Sequence, residues 1–280
     1  MRVLVHDYSG HPFPVQLSRE LARRGHTVRH VYSASFQTPK GRLAPNPDDP
    51  PGFSIEGLRL AKTFAKYSFV RRFFQERTYG KTLVRAIDAF GPEIVLSGNA
   101  PLDPQDFALR YCRGKGVPFV YWQQDVYALA IDRILRRKLG WLGAPIGRRY
   151  LALERRLVRR SDRVVTIADD FVPILLGWGV ERARIDVVEN WAPLEDLAPH
   201  PRDNPFARAH ALADKLVFLY SGTLGLKHDP GKLLNLARHF ASADGNLYDG
   251  GFCQDVDSDL EKDAGQGPAD RSDLRALLEA

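Results

Sequence analysis

Two rhythms of apolar positions alternate along the 280 residues. Short apolar runs at residues 2–7, 27–32, 54–60, 94–97, 117–122, 163–167 and 185–188 have the length and continuity of strands buried in a parallel sheet. Between them apolar residues recur at helical spacing: Val15, Leu17, Leu21 and Ala22 before Gly25, then residues 59–85, 103–113 and 133–160, and last Ile174 and Leu175. Trp141-Leu142 and Pro145 divide the 133–160 stretch into two helices. Strand and helix in alternation, interrupted only by an exposed loop at 39–52, predict an α/β fold, a Rossmann-like doubly wound parallel sheet over residues 1–192.

The pattern then changes. Residues 193–213 open with four prolines between Pro193 and Pro205 and read as a linker. At 214–240 a second α/β unit begins: Leu216 to Tyr220 form an apolar strand, the run stops at Ser221-Gly222, and a helix resumes near Asp229-Pro230. The last stretch, 241–280, has only one helical segment, at 274–280, and diverges from everything before it.

Charge sharpens this division. The net charge of +6 combines a body of +13 over residues 1–240 with a tail of −7 over 241–280. A basic body points to an anionic partner. The cations gather in two helical blocks: eight Arg and Lys against Glu76 in 59–85, and ten against Glu154 in 133–160. Arg71, Arg72, Phe73 and Phe74 show the interleaving of aromatic and basic residues found on helices that lie in a membrane surface. Solvated helix faces and nucleic-acid binding are the other readings of such blocks. No helix-turn-helix, zinc or RNA-platform motif accompanies them, so no nucleic-acid partner is expected. Cys112 and Cys253 are too few and too far apart for a disulfide framework or a metal site, which fits a reducing cytoplasm. The longest apolar stretch, Phe171 to Val180, is too short to span a bilayer.

Candidate chemistry sits where strands end. Ser9, Gly10 and His11 form the loop after the first strand, and Gln124-Asp125 follow the fifth, at the edge where open α/β sheets bind ligands. Asp125 could accept a hydrogen bond from a substrate hydroxyl, or it could cap the helix that follows. His11 could reach a phosphate or be an ordinary loop histidine. The turn Gly222-Thr223-Leu224-Gly225-Leu226-Lys227 lies between a strand and a helix start. Glycines there let backbone amides approach a diphosphate and Lys227 adds a cation; a tight turn with a surface lysine fits the same residues. The eight histidines show no metal-ligand spacing, and no metal or cofactor is expected.

The strand–SGTLG–Lys–helix segment resembles the start of the second domain in family 4 glycosyltransferases of the two-domain GT-B fold, and its Gly-Thr-Leu-Gly form is similar to bacterial envelope-polysaccharide members of the colanic-acid type. The Arg-Arg-Gly-His-Thr-Val run at 23–28 and the strand ending at Asn190 resemble that family's first domain. The resemblance implies retaining transfer of a sugar from a nucleotide-diphosphate donor to a lipid-linked or polysaccharide acceptor, peripherally at the cytoplasmic membrane face. Gly222, Thr223, Gly225 and Lys227 would hold the donor diphosphate, and residues 214–240 would begin the donor domain. Asp125 would lie by the transferring sugar, with Ser9, Gly10, His11 and Gln124 on the cleft and Arg71, Arg72, Phe73 and Phe74 toward the membrane.

Two departures matter. Thr223 stands where the family pattern has arginine, and the family's Glu-x₇-Glu pair, which grips donor sugar and ribose, has no counterpart in 241–280. Truncation or a shifted reading frame after about residue 240 is therefore the expectation, with impaired activity of this chain. The alternative is a non-catalytic Rossmann-like remnant that binds membrane or acceptor.

Overall fold

A computed structural model describes residues 1–35, 42–60, 69–192, 194, 199–212, 217–218 and 230–244. Seven strands, β1 (Arg2–Asp7), β2 (Thr27–Ser33), β3 (Phe53–Leu58), β4 (Ile94–Gly98), β5 (Phe119–Gln123), β6 (Arg163–Thr166) and β7 (Ile185–Val187), form one sheet in the order β3-β2-β1-β4-β5-β6-β7. Every neighbouring pair is parallel. The helices are α1 (Pro12–Arg23), α2 (Phe69–Phe90), α3 (Leu102–Lys115), α4 (Tyr127–Leu139), α5 (Ala144–Arg160), α6 (Val172–Gly177), α7 (Pro205–Ala209) and α8 (Pro230–Asp244). This is the doubly wound, Rossmann-like α/β fold that the apolar pattern predicts.

Successive side chains of a strand point to opposite faces, and β1 is apolar on both. Val3 and Val5 pack with Ala22 of α1 and Val28 of β2 on one face. Leu4 enters the larger core on the other face, with Tyr79, Leu83 and Ile87 of α2, Leu109 of α3 and Leu157 of α5. Two histidines are buried in these layers as neutral rings. His6 Nδ1 lies 2.8 Å from Ser97 Oγ and its Nε2 3.0 Å from the Tyr79 hydroxyl; His30 Nδ1 lies 2.8 Å from Ser18 Oγ. Burial lowers the pKa of both to about 3.

The chain winds from β1 out to β3, then returns to continue from β4 on the other side of β1. The reversal leaves a crevice between β1 and β4 at their carboxyl ends, the usual ligand position in open α/β sheets.

Several boundaries differ from the sequence expectation, three of them for an identifiable reason or by most of a helical turn. The helix expected over 59–85 runs from Phe69 to Phe90; Arg59 and Leu60 are non-helical and 61–68 lie outside the described residues. β5 starts at Phe119 rather than Val117, because Pro118 has no N–H for the ladder; its carbonyl accepts the Val95 N–H. The helix expected after Asp125 and the one expected from Arg133 are a single helix, α4, which stops at Leu139, and a 3₁₀ turn at Gly140–Gly143 leads into α5. A Cβ on Gly143 would overlap the Leu135 carbonyl, and one on Gly147 would overlap the Asp132 carboxylate, so these glycines let α5 lie close against α4.

Backbone packing divides the chain between Ala198 and Pro199. In the second unit Asn204 caps α7 by accepting the Ala207 N–H at 2.9 Å, and α8 begins at Pro230. Of the strand expected at Leu216–Tyr220 only Val217 and Phe218 are described; the Phe218 ring lies 4.7 Å from that of Phe240. The Gly222–Lys227 turn and the 245–280 part of the tail lie outside the described residues.

Candidate functional site

The crevice is built by the first residues beyond each strand. After β1 the chain turns sharply: Gly10, with φ +76°, donates its N–H to the Asp7 carbonyl at 3.2 Å. The Asp7 carboxylate (Oδ2) accepts the His11 N–H at 2.6 Å, just ahead of α1. After β4 the chain turns through Asn99, a non-glycine residue at φ +48°. The two loops are tied together, with Ser9 Oγ donating to the Asn99 carbonyl at 3.4 Å and the Tyr8 N–H donating to the Gly98 carbonyl at 3.4 Å.

Across β4 the approach is close, since a Cβ on Gly98 would lie 3.2 Å from that of Trp122. Trp122 is buried and its ring meets Phe13 at 5.4 Å and Trp191 at 6.0 Å. Phe13 meets Trp191 at 5.6 Å and stacks with His11 at 6.0 Å. Trp191 is fixed by its Nε1, which donates to Gln16 Oε1 at 2.9 Å, and Asn190 Nδ2 donates to Gln124 Oε1 at 2.7 Å. An aromatic wall from three separate segments therefore stands at the carboxyl ends of β1, β5 and β7. Trp191 also borders an open groove of about 620 Å³ along α1, where Arg19 pairs with Asp49.

Polar groups along the same edge are buried without partners. Asp7 Oδ1, Asn99 Nδ2, Trp122 Nε1, both polar side-chain atoms of Gln123, Gln124 Nε2 and Thr166 Oγ1 have no well-formed hydrogen bond among the described residues, although the Asn99 side chain lies near enough to Asp7, and that of Gln123 near enough to Glu154, to favour those carboxylates. The register sets Asp7 beside Gly98, Gly98 beside Trp122, and Gln123 beside Thr166. A buried polar atom left unpaired costs about 1–3 kcal/mol. Their gathering along one edge marks a place where a hydroxyl-rich ligand or ordered water completes the hydrogen bonds.

Electrostatics follow from burial. Desolvation raises the Asp7 pKa from 3.8 to about 7, against the opposing pull of Asn99 and the backbone N–H groups of His11, Ser9 and Gly10. At neutral pH this carboxyl is therefore poised between its acid and its base form. Glu154, wholly buried on α5, is likewise raised to about 7 by desolvation.

Ser9, Gly10, His11 and Gln124, the cleft residues expected from sequence, all belong to this edge. Asp125 follows directly, exposed, with no hydrogen bond or ion pair among the described residues; it does not cap α4. Gly222, Thr223, Gly225 and Lys227 lie outside the described residues. The Arg71–Phe74 group divides around its helix. Arg71 and Phe74 are exposed, whereas Arg72 pairs with Glu76 at 2.6 Å and Phe73 is half-buried beneath the Arg77 and Arg149 guanidinium groups. Sequence reasoning missed Asp7, Phe13, Asn99, Trp122, Thr166 and Trp191 as site residues. For Asp7, Asn99 and Thr166 the signal was positional, each being the last residue of a strand or the first beyond it.

A doubly wound sheet whose order reverses between β1 and β4 hosts many activities, so the fold by itself names none. The chain belongs to the glycosyl transferase 4-like domain family, whose model matches residues 12–191. Solved structures with a similar fold include Phytolacca americana UGT2 complexed with UDP-2fluoro-glucose and pterostilbene (9% identity, TM-score 0.44, 68% of this chain and 52% of that one). Others are Anabaena Alr3699/HepE with UDP-glucose (10%, 0.43, 76% and 50%) and Acinetobacter baumannii MurG (13%, 0.40, 73% and 49%). The chain spans about half the length of each. No curated protein matches it.

Proposed function

We propose that the protein acts as a retaining glycosyltransferase that moves a sugar from a nucleotide-diphosphate donor to a lipid-linked or polysaccharide acceptor in colanic-acid-type envelope polysaccharide synthesis. Membership of the glycosyl transferase 4-like family supports the reaction class. The observation that carries the reading is the row of buried polar atoms along the carboxyl ends of β1, β4, β5 and β6, beside an aromatic wall. Sugars present hydroxyls on their rims and C–H groups on their faces, and such an edge suits both.

In this reading the Asp7 carboxyl and the Asn99 amide hold acceptor hydroxyls, and the Phe13/Trp122/Trp191 wall stacks against a sugar ring. Asp125 accepts a hydrogen bond from the attacking hydroxyl or stabilises positive charge at the anomeric carbon. The amides of Gly222, Thr223 and Gly225, with Lys227, hold the donor diphosphate. The protein works peripherally at the cytoplasmic membrane face; among the described residues no helix is long and apolar enough to cross a bilayer.

The test is transfer from a panel of labelled nucleotide-sugars to lipid-linked acceptors, using this chain and a form extended by a complete second α/β domain. The expected result is label in the lipid fraction with the donor's anomeric configuration, and a raised donor KM in Lys227→Ala. Absence of both transfer and nucleotide-sugar binding in either form would leave the non-catalytic, acceptor- or membrane-binding reading in its place.

A further inference from the structure

The connection between α4 and α5 is unusual in what it exposes. Trp141 in the Gly140–Gly143 turn is 82% exposed, and Leu139, Leu142 and Ile146 beside it are exposed as well. These are large apolar side chains on a well-packed element, since Leu135 and Leu153 bury the inner faces of the two helices and Gly143 and Gly147 bring them close. The tip is thus presented to solvent by a rigid hairpin.

Cations surround it. Arg133, Arg136, Arg137 and Lys138 occupy the last turns of α4, Arg148 and Arg149 the start of α5, and no acidic residue occurs between Asp132 and Glu154. Arg133, Arg137 and Arg148 are exposed and form no ion pair among the described residues. Asp132 is engaged by Arg136 at 2.8 Å. The Arg149 guanidinium lies 5.3 Å from the Phe73 ring, whose neighbour Phe74 is 63% exposed, so the first turns of α2 adjoin this surface.

We propose that this hairpin tip docks the protein on an anionic lipid bilayer, with Trp141 and Leu142 entering the boundary between headgroups and acyl chains and the arginines contacting lipid phosphates. An apolar tip ringed by cations is the pattern of an interfacial anchor, and the indole suits that depth. Charge complementarity selects the occupant. A second copy of the same face would set cation against cation, and a nucleic acid offers nothing for Leu139, Leu142 and Ile146 to bury against. This inference names the element behind the membrane-surface reading above and does not depend on sugar transfer.

The experiment is co-sedimentation of the full chain with vesicles of phosphatidylcholine alone or mixed with phosphatidylglycerol. Tryptophan emission with brominated lipids is read in parallel. Binding to the anionic vesicles only, weakening as salt rises, with a blue-shifted emission whose quenching is lost in Trp141→Phe, is the expected result. Trp141→Ala/Leu142→Ala should weaken partitioning by about tenfold or more, and Arg137→Glu by at least about fivefold. These are surface positions, and an unchanged far-UV dichroism spectrum confirms that the variants fold. Equal binding to neutral vesicles, binding unaffected by the Trp141/Leu142 double substitution, or no vesicle binding would each overturn the proposal. So would a dimer in sedimentation velocity that the double substitution abolishes, which would assign the tip to a second copy of the chain.

Discussion

Glu154 of α5 caps α4 from a different helix: its Oε2 accepts the backbone N–H of Ala128 at 2.7 Å, and its Oε1 accepts the Tyr121 hydroxyl at 3.3 Å. Val126, at the cap position itself, offers no side-chain acceptor, so the first turn of α4 depends on this carboxylate. One side chain thereby joins β5, α4 and α5 next to Gln124 and Asp125. Glu154→Ala should lower stability by about 2–3 kcal/mol in urea unfolding, since it leaves a buried N–H and a buried hydroxyl unpaired. Glu154→Gln keeps one acceptor oxygen and should lose less than about half of that.

Acid stability should show a compensation that single substitutions unmask. His6 and His30 have folded pKa values near 3 against 6.5 for the free side chain, so their contribution is complete above about 6.5 and is lost as pH falls toward 3. Asp7 and Glu154 have folded values near 7 against 3.8 and 4.5, so their contribution is complete below about 4 and is lost as pH rises through 7. Between about pH 5 and 6 the unfolded chain holds two protons on the histidines and the folded chain two on the carboxyls, and the slopes cancel. Asp7→Asn removes one side of that balance. Its stability relative to the parent should fall on acidification by about 1.4 kcal/mol per pH unit in this window. His30→Gln should show the opposite slope. Parallel pH profiles for parent and Asp7→Asn would contradict the assignment.

The strands and the βα order were legible because parallel strands buried on both faces leave unbroken apolar runs, as in Val3-Leu4-Val5. The loops Ser9–His11 and Gln124-Asp125 were legible for the same reason, as the places where such runs stop. The partners were not. Asp7 meets Asn99 through the sheet order, and Phe13 meets Trp122 and Trp191 although more than a hundred residues separate the first from the second. No local periodicity encodes those meetings. The helix expected after Asp125 is there, but its cap comes from Glu154 on α5, a partner that no local pattern announces. At 71–74 consecutive residues point around a helix, so Arg72 meets Glu76 and Phe73 lies beneath Arg77 and Arg149, whereas Arg71 and Phe74 are exposed.

Close packing of α4 on α5 gives a sharper steric test. At Gly147 a methyl group would overlap the Asp132 carboxylate and lie 3.0 Å from the Asp132 Cα, so side-chain rotation alone cannot clear it. Gly147→Ala should destabilise by about 1–3 kcal/mol despite alanine's higher helix propensity. Gly114, also helical but with open space around its Cβ position, should tolerate alanine or gain up to about 1 kcal/mol. Urea unfolding of the two variants side by side checks this; equal effects would mean that the helices do not pack this closely.

Asp125 offers a test of the chemistry that is separable from folding. The residue is exposed and forms no hydrogen bond or ion pair among the described residues, so Asp125→Asn removes a charge without unpairing anything buried. Its unfolding free energy should stay within about 0.5 kcal/mol of the parent. If Asp125 receives the acceptor's proton or steadies charge at the anomeric carbon, kcat should fall by about a hundredfold or more in a form that turns over. The donor KM should change little, because the diphosphate contacts assigned to Gly222–Lys227 are untouched. Trp191→Ala should separate from it in the opposite sense. Loss of a stacking face would raise the acceptor KM by about tenfold and leave kcat within a few-fold, since the wall binds the acceptor but does not touch the reacting bond. Steady-state kinetics with donor and acceptor varied independently distinguishes the two. An Asp125→Asn enzyme with unchanged kcat would remove the residue from the chemical step and leave it a solvent-facing residue at the end of β5.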